Sequence, residues 1–240
     1  VEAAGVGAIF VRINIVGYRD WAMTLGYAVE AMVSPHRVNV LSQLYTDADV
    51  VFAVGWSDMI PPEEYNRTPT FVLHPSPLPR YRGGSPIQHQ ILSGETVSAV
   101  TIFKLTDEYP EVDSGPIAWQ MPYSLEGSLS DILGRIATVG ARGVIDVIRG
   151  IEDGTLALIP QDLSTGVLPY KRRTPADSEI PRVELENCSG KYLANKIRAL
   201  ADPYPNAFIR TADGGRLLIR EAVYEPPADG NHRAALGGAS

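Results

Sequence analysis

Short unbroken apolar runs alternate along this chain with longer stretches in which apolar residues recur at spacings of three and four. Residues 50–54 (VVFAV) form a continuous apolar run between Asp49 and Gly55, the pattern of a strand buried on both faces. Residues 8–16 (AIFVRINIV), 71–74, 99–105 and 117–122 read as further strands. Helical spacing marks 19–32, a short segment at 87–92, and above all 128–153. This last helix has Ser128 or Ser130 as its N-cap and Gly154 as its stop. Its predicted buried face is Leu129, Ile132, Leu133, Ile136, Val139, Val144, Ile145 and Ile148. Strands alternating with helices predict an α/β fold with a mostly parallel sheet.

The pattern lapses after residue 160. Residues 1–164 are expected to form the main domain, and 165–182, rich in Pro, Arg, Lys and Thr, an extended linker lying on it. Within 183–226 an amphipathic helix at 191–201 ends before Pro203 and Pro205. A hairpin then joins 207–211 to 216–223 across Asp213-Gly-Gly215, making a small C-terminal subdomain. Residues 227–240 have the composition of a tail, and no internal repeat is present.

Composition narrows the function classes. With 45% hydrophobic and 20% charged residues the chain is neither disordered nor membrane-spanning in character. Its start lacks the basic and apolar stretches of a secretion signal, and the single Cys188 has no internal partner, so a cytoplasmic setting is expected. A net charge of −7 disfavours wrapping of polyanions, so no nucleic-acid partner is expected. His36, His89 and His232 show no ligand spacing with one another or with Cys188, and no metal site is predicted.

The candidate chemistry lies in HPSPLPRYRGG, from His74 to Gly84, and in Asp113-Ser-Gly115. Three prolines after His74 remove backbone donors and end the strand there, which puts the histidine at the sheet edge along which α/β proteins bind ligands. Tyr18 and Arg19 follow the first strand and reach the same edge.

The string HPSPLPRYRGGSPIQHQILSGETVSAVTIFKL, followed by DEYPEVDSGPI, resembles the core signature of the folate-dependent formyltransferases. That family includes methionyl-tRNA, glycinamide ribonucleotide and amino-sugar N-formyltransferases. The resemblance runs from about residue 50 to 225 and takes in Arg172-Arg-Thr-Pro-Ala-Asp-Ser178, similar to the linker of the amino-sugar branch. It implies a Rossmann-like formyltransferase fold, 10-formyltetrahydrofolate as one-carbon donor, and a primary amine as acceptor, here a small molecule. It also implies His74 and Asp113 as catalytic groups. Trp56, Ser57, Met59 and Ile60 would form one wall of the folate pocket, and the loop carrying Asp107, Tyr109 and Glu111 the other. Ser76, Arg80 and Gly83 join Tyr18 and Arg19 as candidates for substrate binding. A homodimer is left open.

One position departs from the family pattern. The family's catalytic trio has an asparagine two residues before the histidine, on the same side of the strand, where it can donate to a developing oxyanion. This chain has Val72 there. Either His74 stabilises the oxyanion alone, or a polar group such as Ser57 or Asn66 substitutes, or the chemistry is altered, for example to hydrolysis of formyl-folate or transfer of another one-carbon unit. A protein that binds folate without turnover is the remaining reading. Each residue also has a plainer role available. His74 could be a buried, satisfied histidine, Asp113 a turn cap, Trp56 and Met59 core filler, and Arg80, Arg82, Arg172 and Arg173 structural.

Overall fold

A computed structural model describes residues 11–34, 36–44, 47–164 and 169–227. The elements in chain order are β1 Arg12–Val16, α1 Asp20–Met32, β2 Arg37–Leu41, β3 Val50–Val54, α2 Pro62–Arg67, β4 Thr70–His74, α3 Pro86–Leu92, β5 Val97–Lys104, β6 Ile117–Ser124, α4 Leu129–Glu152, α5 Arg182–Asn187, α6 Gly190–Ala199, β7 Ala207–Arg210 and β8 Arg216–Ile219. The chain divides into two compact units, Val1–Thr174 and Pro175–Ser240.

The first unit is built on a six-stranded sheet in the order β2-β1-β3-β4-β5-β6. The first four strands pair in parallel, and β5 runs antiparallel to both β4 and β6. Strand order reverses between β1 and β3, so the carboxyl ends of β1, β3 and β4 open on one crevice, the usual place for a ligand in such sheets.

Burial explains why some elements were legible. All five residues of β3 are buried, and Phe52 stacks on Phe71 of β4 with ring centroids 5.5 Å apart. In α4 the Ser128 hydroxyl accepts from the Asp131 amide while the Asp131 carboxylate accepts from the Ser128 amide, a capping box that satisfies two orphan donors. A bond donated by the Ser128 hydroxyl to the Asp131 carboxylate at 2.7 Å, and then the one from the Ser128 amide, hold the Asp131 carboxyl below its usual range. The buried face of α4 differs from expectation at one point. Val139 is half-buried, and the helix makes its close approach through Gly140, whose added Cβ would lie 2.6 Å from Leu25 and 2.7 Å from Leu73.

Three elements were not expected. β2 carries a polar Asn39 that donates to Asn14 of β1 at 2.8 Å, while α2 and α5 bury no residue and so show no apolar periodicity. The first strand was expected to begin at residue 8, and residues 8–10 lie outside the described residues, as do 165–168 of the linker and 228–240 of the tail.

The expected linker is divided. Tyr170 donates its amide to the Arg82 carbonyl at 2.7 Å and accepts from the Gly84 amide at 2.8 Å, so this stretch is strand-like and part of the first unit. Its remainder opens the second unit with a 3-10 turn at Pro175–Ser178. There α6 and the β7–β8 hairpin bury Ile180, Ile197, Leu200 and Ala207 as a small core. Among the described residues no helix is long and apolar enough to cross a membrane.

Candidate active site

His74 is the last residue of β4 and is buried. Its Nε2 lies 3.0 Å from the Tyr81 carbonyl, a bond in which the ring must donate. That bond fixes the ring and turns Nδ1 toward Asp113, whose Oδ2 lies 3.5 Å away. The separation exceeds a good N–H···O bond and describes an ion-pair contact with slack in it.

Asp113 is braced independently of the histidine. Oδ2 accepts from the Gly83 amide at 2.8 Å. The backbone at Asp113 is left-handed, φ 51°, an uncommon conformation that aspartate tolerates better than most residues. The preceding loop closes through Ser114, whose hydroxyl bonds the carbonyls of Glu111 at 2.7 Å and Tyr109 at 3.0 Å. Gly83 must be glycine here: its φ is 94°, and a Cβ would sit 2.4 Å from the Tyr170 carbonyl oxygen.

The loop after His74 is braced by internal bonds. Ser76 is fully buried, and its hydroxyl is spent on the Arg80 carbonyl at 2.8 Å, so it holds the turn and presents nothing to a ligand. Arg80 pairs with Glu95 and lies over the Tyr81 ring. The proline-rich turn is thus a rigid bracket for the histidine.

At the reversal point, Tyr18 and Trp56 meet edge to face with centroids 5.6 Å apart. Arg19 spans to the Gly55 carbonyl at 3.3 Å and the Ser57 hydroxyl at 3.2 Å. Arg172, expected to be structural, donates to the Ser57 carbonyl at 2.9 Å and anchors this loop. Ile60 is buried, whereas Met59 is 79% exposed.

Val72 lies on the same side of β4 as His74, and it packs with Trp56, Tyr65 and Leu105 against a core cluster of Val16, Val51, Ala53 and Ile60. Of the two polar substitutes considered for it, Asn66 is engaged elsewhere, while Ser57 accepts a bond and keeps its hydroxyl proton to donate. Ser57 accepts from Arg19, and Asn66 donates to Asp107 at 2.7 Å. Asp107 also accepts from the Tyr65 hydroxyl at 2.8 Å. The bonds from Asn66 and then Tyr65 hold its carboxyl below the usual range. Asp107 therefore ties α2 to the loop after β5, while Tyr109 and Glu111 supply that loop's closing carbonyls.

One observation at this wall bears on a bound ligand. The Trp56 indole N–H is buried with no hydrogen-bond partner among the described residues, beside an apolar surface. An unpaired buried donor is costly and favours a ligand that brings an acceptor. Among the described residues no cluster of three or more metal-ligating side chains occurs.

The mostly parallel sheet with a histidine and a carboxylate at its carboxyl edge defines an α/β fold with polar groups at the edge where such sheets bind ligands. The sequence model of the formyl transferase family matches residues 32–148, and over this segment the chain belongs to that family. It is 36% identical over 190 residues to the methionyl-tRNA formyltransferase of Acidothermus cellulolyticus, an alignment covering 78% of this chain and 56% of that protein. The chain spans about half the length of the curated relatives it matches. Among solved structures, HypX from Aquifex aeolicus in complex with tetrahydrofolic acid superposes with a TM-score of 0.70 at 21% identity, covering 87% of this chain and 37% of that one. A sugar N-formyltransferase from a Shewanella species has a TM-score of 0.70 at 13% identity, covering 90% and 99%. These structural likenesses define the fold. Sequence reasoning missed one residue at the site, Gln161, which donates to the carbonyls of Asp113 at 2.9 Å and Gly115 at 2.7 Å.

Proposed function

We propose that the chain transfers the formyl group of 10-formyltetrahydrofolate to the amine of a small acceptor, an amino-sugar nucleotide or an amino acid or hydroxylamine of a biosynthetic route. The observation that carries this is the contact between His74 Nδ1 and Asp113 Oδ2 at the carboxyl end of β4. The tetrahydrofolic acid named for the HypX structure and the orphan indole of Trp56 support folate as donor. The net charge of −7 favours a small acceptor over tRNA, and a protein named as a sugar N-formyltransferase shares the fold.

The chemistry divides between the two side chains. As the amine nitrogen attacks the formyl carbon, the donor for the carbonyl oxygen on which negative charge grows is Nδ1–H of the doubly protonated His74 ring, because Nε2–H is held by the Tyr81 carbonyl and the 3.5 Å contact of Nδ1 with Asp113 has slack in it. Asp113 accepts the proton released by the new C–N bond and passes it to the folate nitrogen as the old C–N bond breaks. Gly83, through its amide, keeps the carboxylate aimed while the proton moves.

Val72 favours a second reading, a homologue that binds folate with slow transfer or releases formate to water. An apolar contact stands where the family places a donor, and loss of one oxyanion donor typically slows such reactions by about 10²–10³. Incubation with 10-formyltetrahydrofolate and a panel of amines, methionyl-tRNA included, separates the readings. Formyl amide on a small amine is the expected product. Free formate supports the second reading, and formyl-methionyl-tRNA would overturn the choice of acceptor.

A further inference from the structure

We infer that Gln161 is a positioning residue for Asp113, acting through the backbone on either side of Ser114. This rests on the formyl-transfer reading above and adds a residue to it. Gln161 lies beyond α4, remote from the site in sequence, yet its side-chain Nε2 donates to the Asp113 carbonyl at 2.9 Å and the Gly115 carbonyl at 2.7 Å. The amide is buried, and its Oε1 has no hydrogen-bond partner among the described residues.

That unpaired oxygen identifies the bond the structure favours. Leaving a buried carbonyl unsatisfied is costly, and turning the amide over would instead face Oε1 toward two carbonyls, acceptor against acceptor. The side chain is therefore held by its two donated bonds. Those bonds grip a segment under constraint: Asp113 has φ 51°, and Gly115 runs so close to β5 that a Cβ would lie 2.0 Å from the Lys104 carbonyl oxygen. Relaxing Asp113 toward ordinary backbone angles would swing its carboxylate away from both the Gly83 amide and the His74 ring. Gln161 opposes that rotation from the backbone side, as Gly83 does from the carboxylate side. Neither contact involves substrate, so Gln161 sets where the carboxylate sits and leaves donor binding alone.

The test compares the wild-type chain with Gln161→Met, which keeps length without donors, Gln161→Glu, which keeps shape and polarity without donors, and Asp113→Asn. The first readout is the pair of ¹⁵N shifts of the His74 ring, which respond to the carboxylate beside Nδ1 whether or not transfer is detected. Both Gln161 variants are expected to move the Nδ1 signal in the direction of Asp113→Asn. The second readout is kinetic. The kcat for amide formation is expected to fall about 10–100-fold with KM for the formyl donor within about twofold, as for loss of an interaction expressed in the transition state. On the Asp113→Asn background, Gln161→Met is expected to cost nothing more, because two residues acting through one carboxylate are not additive. Wild-type ring shifts in whichever Gln161 variant folds, or an undiminished further loss on the Asp113→Asn background, would overturn the inference. Absence of amide from the wild-type chain would instead count against the formyl-transfer reading, with the ring shifts still deciding the role of Gln161.

Discussion

Val72 and His74 share one side of one strand, yet they meet opposite surroundings. Around His74 nearly every polar group is bonded: the ring to Tyr81, the carboxylate to Gly83, the loop to itself through Ser76 and Ser114. Val72, half-buried, packs against the apolar cluster of Val16, Val51, Ala53 and Ile60, as Trp56, Tyr65 and Leu105 do. The contrast teaches that, in the proposed reading, the half of the site that would move protons is firmly braced, while a half-buried valine stands where the family places a second oxyanion donor. In the formyl-transfer reading the oxyanion donor on this strand is then the histidine.

The largest effect that would break this contrast is at Asp113. Asp113→Asn keeps the size of the side chain but removes the proton acceptor, and amide formation is expected to drop by about 10³-fold, within the usual range for a general base. Binding of tetrahydrofolate, followed by quenching of tryptophan fluorescence, should persist.

Val72→Asn sharpens the contrast from the other side. Restoring a donor is expected to raise the transfer rate by up to about 10², at a stability cost of about 1–3 kcal/mol for burying an amide in apolar surroundings. Chemical denaturation and initial rates measure the two together. Loss of folate binding in this variant would mean that the pocket does not lie beside β4.

A smaller effect is expected at the bracket. Gly83→Ala meets the Tyr170 carbonyl and an unfavourable φ, and should lower stability by about 1–3 kcal/mol while slowing transfer. Ser128→Ala, at the cap of α4, removes a capping bond worth about 1 kcal/mol and should leave transfer unchanged. Its partner Asp131 has a lowered carboxyl range in the fold, so the contribution is present above the unfolded value near ~3.9 and is lost as pH falls through the folded one. The stability gap between wild type and Ser128→Ala should therefore narrow in acid, and thermal melts from neutral pH downward would show it.

How far the sequence revealed this follows from burial. β3 and α4 were legible because their apolar positions repeat without interruption. α2 and α5 bury nothing, and β2 is a short strand paired through Asn39, so no period marks them. At the site, His74 and Asp113 were legible from a strand end, a proline turn and a family signature. Ser76 matched the same signature, but its buried hydroxyl closes the turn. Gln161 had no signal at all, since it acts on backbone carbonyls from a segment without periodicity. The apolar cluster on which Val72 packs follows from tertiary packing that also brings Trp56, Tyr65 and Leu105 onto it from separate segments.

The central claim is that His74 supplies the oxyanion donor in a site where position 72 cannot. The most direct measurement is the single-turnover rate of formyl-amide formation by His74→Ala, at saturating 10-formyltetrahydrofolate and acceptor. A fall of at least about 10² relative to wild type is predicted. A rate equal to that of the wild-type chain would contradict the account.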